Sequence, residues 1–270
     1  MNDISFGQYY PSDSFLHSLD PRFKIIFTIA LVVGMFVCNT VLSFAFAFLV
    51  ILVLIFISKI PLLTYLKNLK PLIPIILLTV ILNLIYVPGK NIILHFWIIN
   101  ITTEGLKTAA FVTLRIIGLV IITSFLTYTT TPTSITSAIE SLLKWLKLFK
   151  VDIHIFAMMM TIALRFIPTL IDEINKIVNA QKARGADFDS GNIIRKVKAM
   201  VPVLIPLFIS SFRRAYELAN AMECRCYNGG EGRTKLKTMQ ITYKDFISLF
   251  FVIAIIAALI LLNKLKILGV

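Results

Sequence analysis

Charge is scarce in this chain of 270 residues, and acid is scarcer than base. Asp, Glu, Lys and Arg make up 15% of the residues against 58% hydrophobic ones, and the mean hydropathy is +0.87. That composition excludes the soluble globular classes and reads as an integral membrane protein. Cysteine is limited to Cys38, Cys224 and Cys226, an odd number with one inside an apolar run, which excludes a disulfide framework. The three histidines, His17, His95 and His154, are scattered, so no nucleophile and base can be paired from them. Asp187 and Asp189 form a lone Asp-x-Asp without the further oxygen ligands that Mg²⁺ or Ca²⁺ demands, and Cys224 with Cys226 offers only two of the four ligands of a zinc site. No Gly-x-x-x-x-Gly-Lys-Ser/Thr run exists. GGEGRT at 229–234 lacks both the lysine and a preceding strand, so the chain is not a conventional P-loop ATPase by itself. The opening MNDISFGQYYPSDSFLHSLDPRFK lacks the basic, apolar and small-residue sequence of a signal peptide, and the N-terminus is expected to be retained. No catalytic residue, metal site or bound cofactor is expected.

Apolar runs are abundant. A bilayer core takes roughly 20 apolar residues as a helix. The run 23–57 is too long for one span and is punctuated by Cys38-Asn39-Thr40, which predicts a tight hairpin of two helices. Residues 71–87 make a third span, 106–128 a fourth and 241–262 the last. Between the third and fourth, the alternation in NIILHFWIINITTEG and the boundary at Gly105 predict an interfacial loop or short hairpin. Lys59, Lys67 and Lys70 collect in one connection, while the next carries only Lys90 with His95 and Glu104, so the first lies in the cytoplasm and the second outside. This places the N-terminus, with Arg22 and Lys24, inside. It also places 131–240 inside, with 16 basic and nine acidic residues. The net charge of +13 is therefore largely a topology signal, without a nucleic-acid partner. Five spans leave Lys264 and Lys266 outside. A sixth crossing in HIFAMMMTIALRFIPTL or AMVPVLIPLFISSF would remove that misfit, but runs so short or so charged are read as helices that start near the membrane and continue into the cytoplasm.

The expected fold is thus an all-α integral membrane protein with about five transmembrane helices and long cytoplasmic amphipathic helices inserted before the last span. Its parts are an N-terminal membrane domain 1–130, a cytoplasmic helical module 131–240, and a last span with the C-terminus, 241–270. Within the module, Met159, Ile162, Phe166, Leu170, Ile174 and Ile177 recur at helical spacing, as do Val197, Val201, Leu204, Phe208 and Phe212, continuing through Ala215, Ala219 and Met222. Each stripe can bury itself against the other, the spans or a partner. Arg213 and Glu217 can pair across one turn, as surface decoration. The first helix closes as Ala183-Arg184-Gly185 and the second as Cys224-Arg225-Cys226, each with Ile-Pro upstream. A cation followed by glycine is an ordinary helix terminus. Two such ends on consecutive helices suggest a pair of arginine plugs for carboxylates or carbonyls of a soluble partner, which a guanidinium fork serves better than lysine. Arg115 is the one charge well inside a span. An ion pathway is the functional reading of such a residue and a protein-facing arginine the structural one. The run Met158–Met160 reads as adaptable packing.

At these residues the sequence resembles the transmembrane T component of energy-coupling factor transporters. The likeness runs through GQYYPSDSFLHSLDPRFK, TPTSITSAIESLLK, IALRFIPTL, QKARGADFDSGN, VPVLIPLFISSFRRAYELANAMECR and YNGGEGRT. The resemblance implies a non-catalytic scaffold in a prokaryotic cell membrane. It would join two cytoplasmic ATP-binding-cassette subunits, which hold ATP and Mg, to a small membrane-embedded substrate-binding subunit for vitamin or other micronutrient uptake. The resemblance also implies coupling helices ending in Ala-Arg-Gly motifs whose arginines dock into the ATPase pair. Ala183-Arg184-Gly185 matches, whereas Cys224-Arg225-Cys226 keeps only the arginine, with the helix-ending role passed to Gly229-Gly230. A self-contained secondary transporter or channel would instead need paired charges or broken helices at mid-depth. An intramembrane enzyme would need more carboxylates than Asp187 and Asp189.

Overall fold

The computed structural model describes residues 9–88, 92–96, 99–145, 152–188, 192–229 and 239–265. The chain falls into two compact units, Met1–Ile135 with Met239–Val270, and Thr136–Thr238.

The first unit opens with α1, Pro21–Val37. The Asp20 carboxylate caps it by accepting from the Arg22 N–H at 2.9 Å, and Pro21 occupies a first-turn position where a missing donor costs nothing. Helix α2, Val41–Ser58, follows after three residues. Its start is fixed by a reciprocal box: the Thr40 hydroxyl accepts from the Ser43 N–H and the Ser43 hydroxyl from the Thr40 N–H, both at 3.1 Å. The punctuation at Cys38-Asn39-Thr40 is therefore the expected hairpin. The third membrane segment begins earlier than residue 71. Helix α3, Leu62–Leu69, passes through a 3₁₀ turn, Lys70–Leu72, into α4, Ile73–Tyr86, because Pro71 and Pro74 remove two backbone donors in succession. The alternating stretch forms an antiparallel hairpin, β1 Ile92–Phe96 with β2 Ile99–Thr102, paired from Ile92 opposite Thr102 to Phe96 opposite Ile99. Thr102 then caps α5, Thr103–Thr129: its hydroxyl accepts from the Gly105 N–H at 3.0 Å and donates to the Val87 carbonyl at 3.1 Å. Helix α9, Tyr243–Leu265, completes the unit.

Helices α1, α2, α3, α5 and α9 share an apolar core of which Met35, Phe44, Ile51, Tyr65, Ile122 and Leu259 are buried members. Packing is close where α1 meets α5: a Cβ on Gly118 would overlap the Met35 methyl. Polar groups lash the helix ends together. The Lys24 ammonium, 4% exposed, donates to the carbonyls of His17 and Thr129, each at 3.0 Å. The Asp245 carboxylate, 1% exposed, accepts from the N–H groups of Asp20 at 2.8 Å and Thr242 at 2.7 Å. Lys24, read from sequence as a topology charge, is thus a buried tie between α1, the end of α5 and the preceding loop. Arg115 is protein-facing: it donates to the Cys38 carbonyl at 2.8 Å and the Asn39 side chain at 3.2 Å, with its guanidinium 5.8 Å from the Phe44 ring centre. It closes the α1–α2 turn.

The second unit contains most of α6, Pro132–Leu142, and two helices of 31 residues each, α7, Ile153–Ala183, and α8, Ile193–Glu223. Each runs about 46 Å at 1.5 Å per residue. Helix α7 continues unbroken through Pro168, and α8 through Pro202 and Pro206. The two are in contact, and the apolar stripe of α8, for which the other helix, the spans or a partner were open as neighbours, does not make that contact. Val201, Leu204, Phe208 and Phe212 are exposed, Phe208 by 66%, whereas Val203 is buried and Leu207, Ser210, Ser211, Arg214 and Leu218 are partly covered. The inner face of α8 carries serines and an arginine, and its most apolar face points away from α7.

Among the described residues, five segments are long and apolar enough to cross a bilayer: α2, α3 with α4, α5, α7 and α9. Helix α1 has 17 residues, about 25 Å, a few ångströms less than a bilayer core. By length and composition α7 meets the requirement that its sequence reading set aside.

Candidate functional site

The two arginine tips have one geometry. At the end of α7 the Gly185 N–H reaches the Lys182 carbonyl and the Ala186 N–H reaches the Gln181 carbonyl, both at 3.0 Å, with Gly185 left-handed at φ 87°. At the end of α8 the Cys226 N–H reaches the Glu223 carbonyl at 2.8 Å and the Tyr227 N–H the Met222 carbonyl at 3.0 Å, with Cys226 left-handed at φ 53°. Both are the paired closure in which the residue after the helix turns left-handed and the next N–H reaches back over the last turn. Arg184 and Arg225 therefore occupy the same position, the last before the turn. Cys226 itself performs the turn, and the expected transfer to Gly229-Gly230 is corrected. Gly229 has its own left-handed φ of 79° further along, and Gly230 lies outside the described residues. A left-handed non-glycine residue costs roughly 1–2 kcal/mol that Gly185 avoids. The closing bonds of the second tip hold Cys226 there against that cost.

Ala183, Arg184, Gly185, Cys224, Arg225 and Cys226 are all exposed. Among the described residues neither Arg184 nor Arg225 forms a side-chain hydrogen bond or ion pair, and a Cβ on Gly185 would meet nothing within 4 Å. Both guanidiniums are fully available at the ends of stiff helices, where the carbonyl end of the dipole favours a cation. Asp189 and most of the GGEGRT run lie outside the described residues. Cys224 and Cys226 belong to no group of three or more potential metal ligands among the described residues.

Sequence reasoning missed the link between the helices. Glu173 on α7 accepts from the Arg214 guanidinium at 2.7 Å and from the Ser210 hydroxyl, both on α8. Arg213 and Glu217, the pair expected from spacing, do not form an ion pair. Beside the link lies an open groove of about 220 Å³, lined by Ile162, Phe166, Leu170, Ser211, Arg214 and Leu218. Between α6 and α7, the Glu140 carboxylate accepts from His154 Nδ1 at 3.1 Å. The signal for the link was the Ser-Ser-x-Arg-Arg run on α8, which is polar at positions an amphipathic stripe would fill.

These features define a multi-pass helical membrane protein that carries a paired, arginine-tipped two-helix module. The sequence matches the family described as "CbiQ: Cobalt transport protein" over residues 12–236. It is 49% identical over 249 residues to the energy-coupling factor transporter transmembrane protein EcfT of Clostridium kluyveri, covering 92% of each chain. Similarity to the proteins of that name from Acidaminococcus fermentans and Lactococcus lactis subsp. cremoris is 45% over 263 residues and 41% over 264, covering 97% and 98% of this chain and 98% and 99% of theirs. The chain belongs to this family, the transmembrane components of energy-coupling factor transporters.

Proposed function

We propose that this subunit is a non-catalytic scaffold that couples ATP hydrolysis on two cytoplasmic ATP-binding-cassette subunits to reorientation of a membrane-embedded substrate-binding subunit. The N-terminus and the module with α6, α7 and α8 face the cytoplasm. Arg184 and Arg225 each enter one ATPase subunit, where the planar guanidinium pairs with carboxylates or carbonyls. Closure of the ATPase pair moves the tips, and the helices carry that displacement to the substrate-binding subunit, which rests on their apolar faces. The bare stripe Val201, Leu204, Phe208 and Phe212 supports the last step, since a face of this kind on a folded chain marks an interaction surface. ATP and Mg stay on the ATPase subunits, and the substrate-binding subunit selects the vitamin or other micronutrient.

The observation that carries this reading is the identical closure of the two tips, with an exposed, unpaired arginine at the same position in each. The test is copurification and uptake. The tagged chain is expected to bring down two ATP-binding-cassette proteins and a small membrane protein, and Arg184→Glu or Arg225→Glu is expected to lose the ATPases. Retention of both ATPases and normal ATP-driven uptake by the double variant would end the plug reading.

A further inference from the structure

The link between α7 and α8 has a relation to the tips that neither shows alone. Arg184 lies 11 residues after Glu173, and Arg225 lies 11 residues after Arg214. Eleven residues of α-helix are about 16 Å long and close three turns to within about 20°, so each tip arginine sits over its own helix's clasp residue, on the same face and at the same distance. Prolines are confined to the other side: Pro168, Pro202 and Pro206 all precede the clasp, and 174–183 and 215–223 contain none. Two stiff arms of equal length thus run from one ion-paired crossing to two identically capped arginines.

The rest of the contact is weak. The groove beside the clasp is open, and the only buried residues of α7 are Ile153 and Ala157 near its start. Apolar packing therefore does little to fix where α7 crosses α8, and a three-residue polar contact does more. Glu173 accepts from Ser210 and Arg214, one turn apart on α8, which defines register along the helix as well as contact.

We propose that Glu173, Ser210 and Arg214 are positioning residues that fix the crossing of the coupling helices and so hold Arg184 and Arg225 at the separation of two sockets in the ATPase pair. This rests on the docking role proposed above. The clasp touches neither partner. It acts by making the second docking event intramolecular, so that its loss lowers the effective concentration of the second tip and leaves each tip's own affinity unchanged.

The test is a double-mutant cycle on the full chain in lipid nanodiscs, reading affinity for the purified ATPase pair. With both tips present, Glu173→Ala is expected to weaken binding about tenfold or more. In an Arg225→Ala background, where only one tip can dock, the same change is expected to weaken binding less than about twofold. The reversed clasp, Glu173→Arg with Arg214→Glu, is expected to restore most of the loss, and its rescue also shows that the helices fold. Equal weakening in both backgrounds would overturn the clasp as a positioning device and leave it a purely structural contact. Failure of Arg225→Ala itself to weaken binding would instead overturn the docking role on which the proposal rests.

Discussion

The two units spend their polar residues differently. In the first, polar groups close the structure upon itself: buried Lys24 bridges two carbonyls, buried Asp245 gathers two N–H groups, part-buried Ser12 donates to the Ser58 carbonyl at 3.1 Å and part-buried Arg115 seals a turn. In the second, one ion-paired clasp joins two long helices, the strongest apolar face is bare, and two arginines stand exposed at the ends. The first unit's polar contacts are turned inward. The second leaves its apolar stripe and both tip arginines exposed.

If that contrast is correct, damage to the first unit should appear as lost stability and damage to the second as lost coupling. The largest stability effect is expected for Asp245→Ala. It strips two N–H groups of their acceptor and removes a carboxylate that, with Asp20, offsets the buried Lys24 charge. Breaking a buried charged contact from one side costs about 3–5 kcal/mol, so thermal unfolding in detergent should occur at a clearly lower temperature. A midpoint equal to that of the unmodified chain would show that the lashing at the ends of α1 and α9 is dispensable. Phe208→Ser on the bare stripe should leave the unfolding temperature nearly unchanged, within about 0.5 kcal/mol, while lowering ATP-driven uptake. A large loss of stability there would mean that the stripe is core, and the contrast between the units would fail. The smallest effect is expected for Cys226→Gly. It relieves the left-handed cost and should stabilise the closing turn of α8 by about 1 kcal/mol, seen as slower amide exchange at Tyr227. Faster exchange at that amide would show that the thiol side chain itself supports the turn.

Local features were the legible ones. The α1–α2 turn could be read from Cys38-Asn39-Thr40 because a capping box needs only residues three apart, and the strand hairpin could be read from its alternation. The ends of α7 and α8 were legible for the same reason. Contacts across the chain were not. Asp20 and Asp245 are 225 residues apart, and nothing near Lys24 distinguishes a buried tie from a cytoplasmic loop charge. Which neighbour the α8 stripe meets was left open by the sequence, because an amphipathic stripe identifies the most apolar face but not what covers it, and here that face is turned away from α7. Arg214 and Ser210 look like surface residues until Glu173 is placed opposite them. The turn at Cys226 was missed because a left-handed cysteine is held by the closing hydrogen bonds and has no signal in residue type.

The most direct test of the account is a titration of the ATP-binding-cassette pair onto the nanodisc-embedded chain, comparing the unmodified protein with Arg184→Glu/Arg225→Glu. Losing a docked charge typically costs about 2–5 kcal/mol, and two reversed tips should weaken binding by at least about 100-fold while the unfolding temperature stays unchanged. Equal affinity for the two proteins would contradict the claim that these helix ends are where the subunit engages its motor.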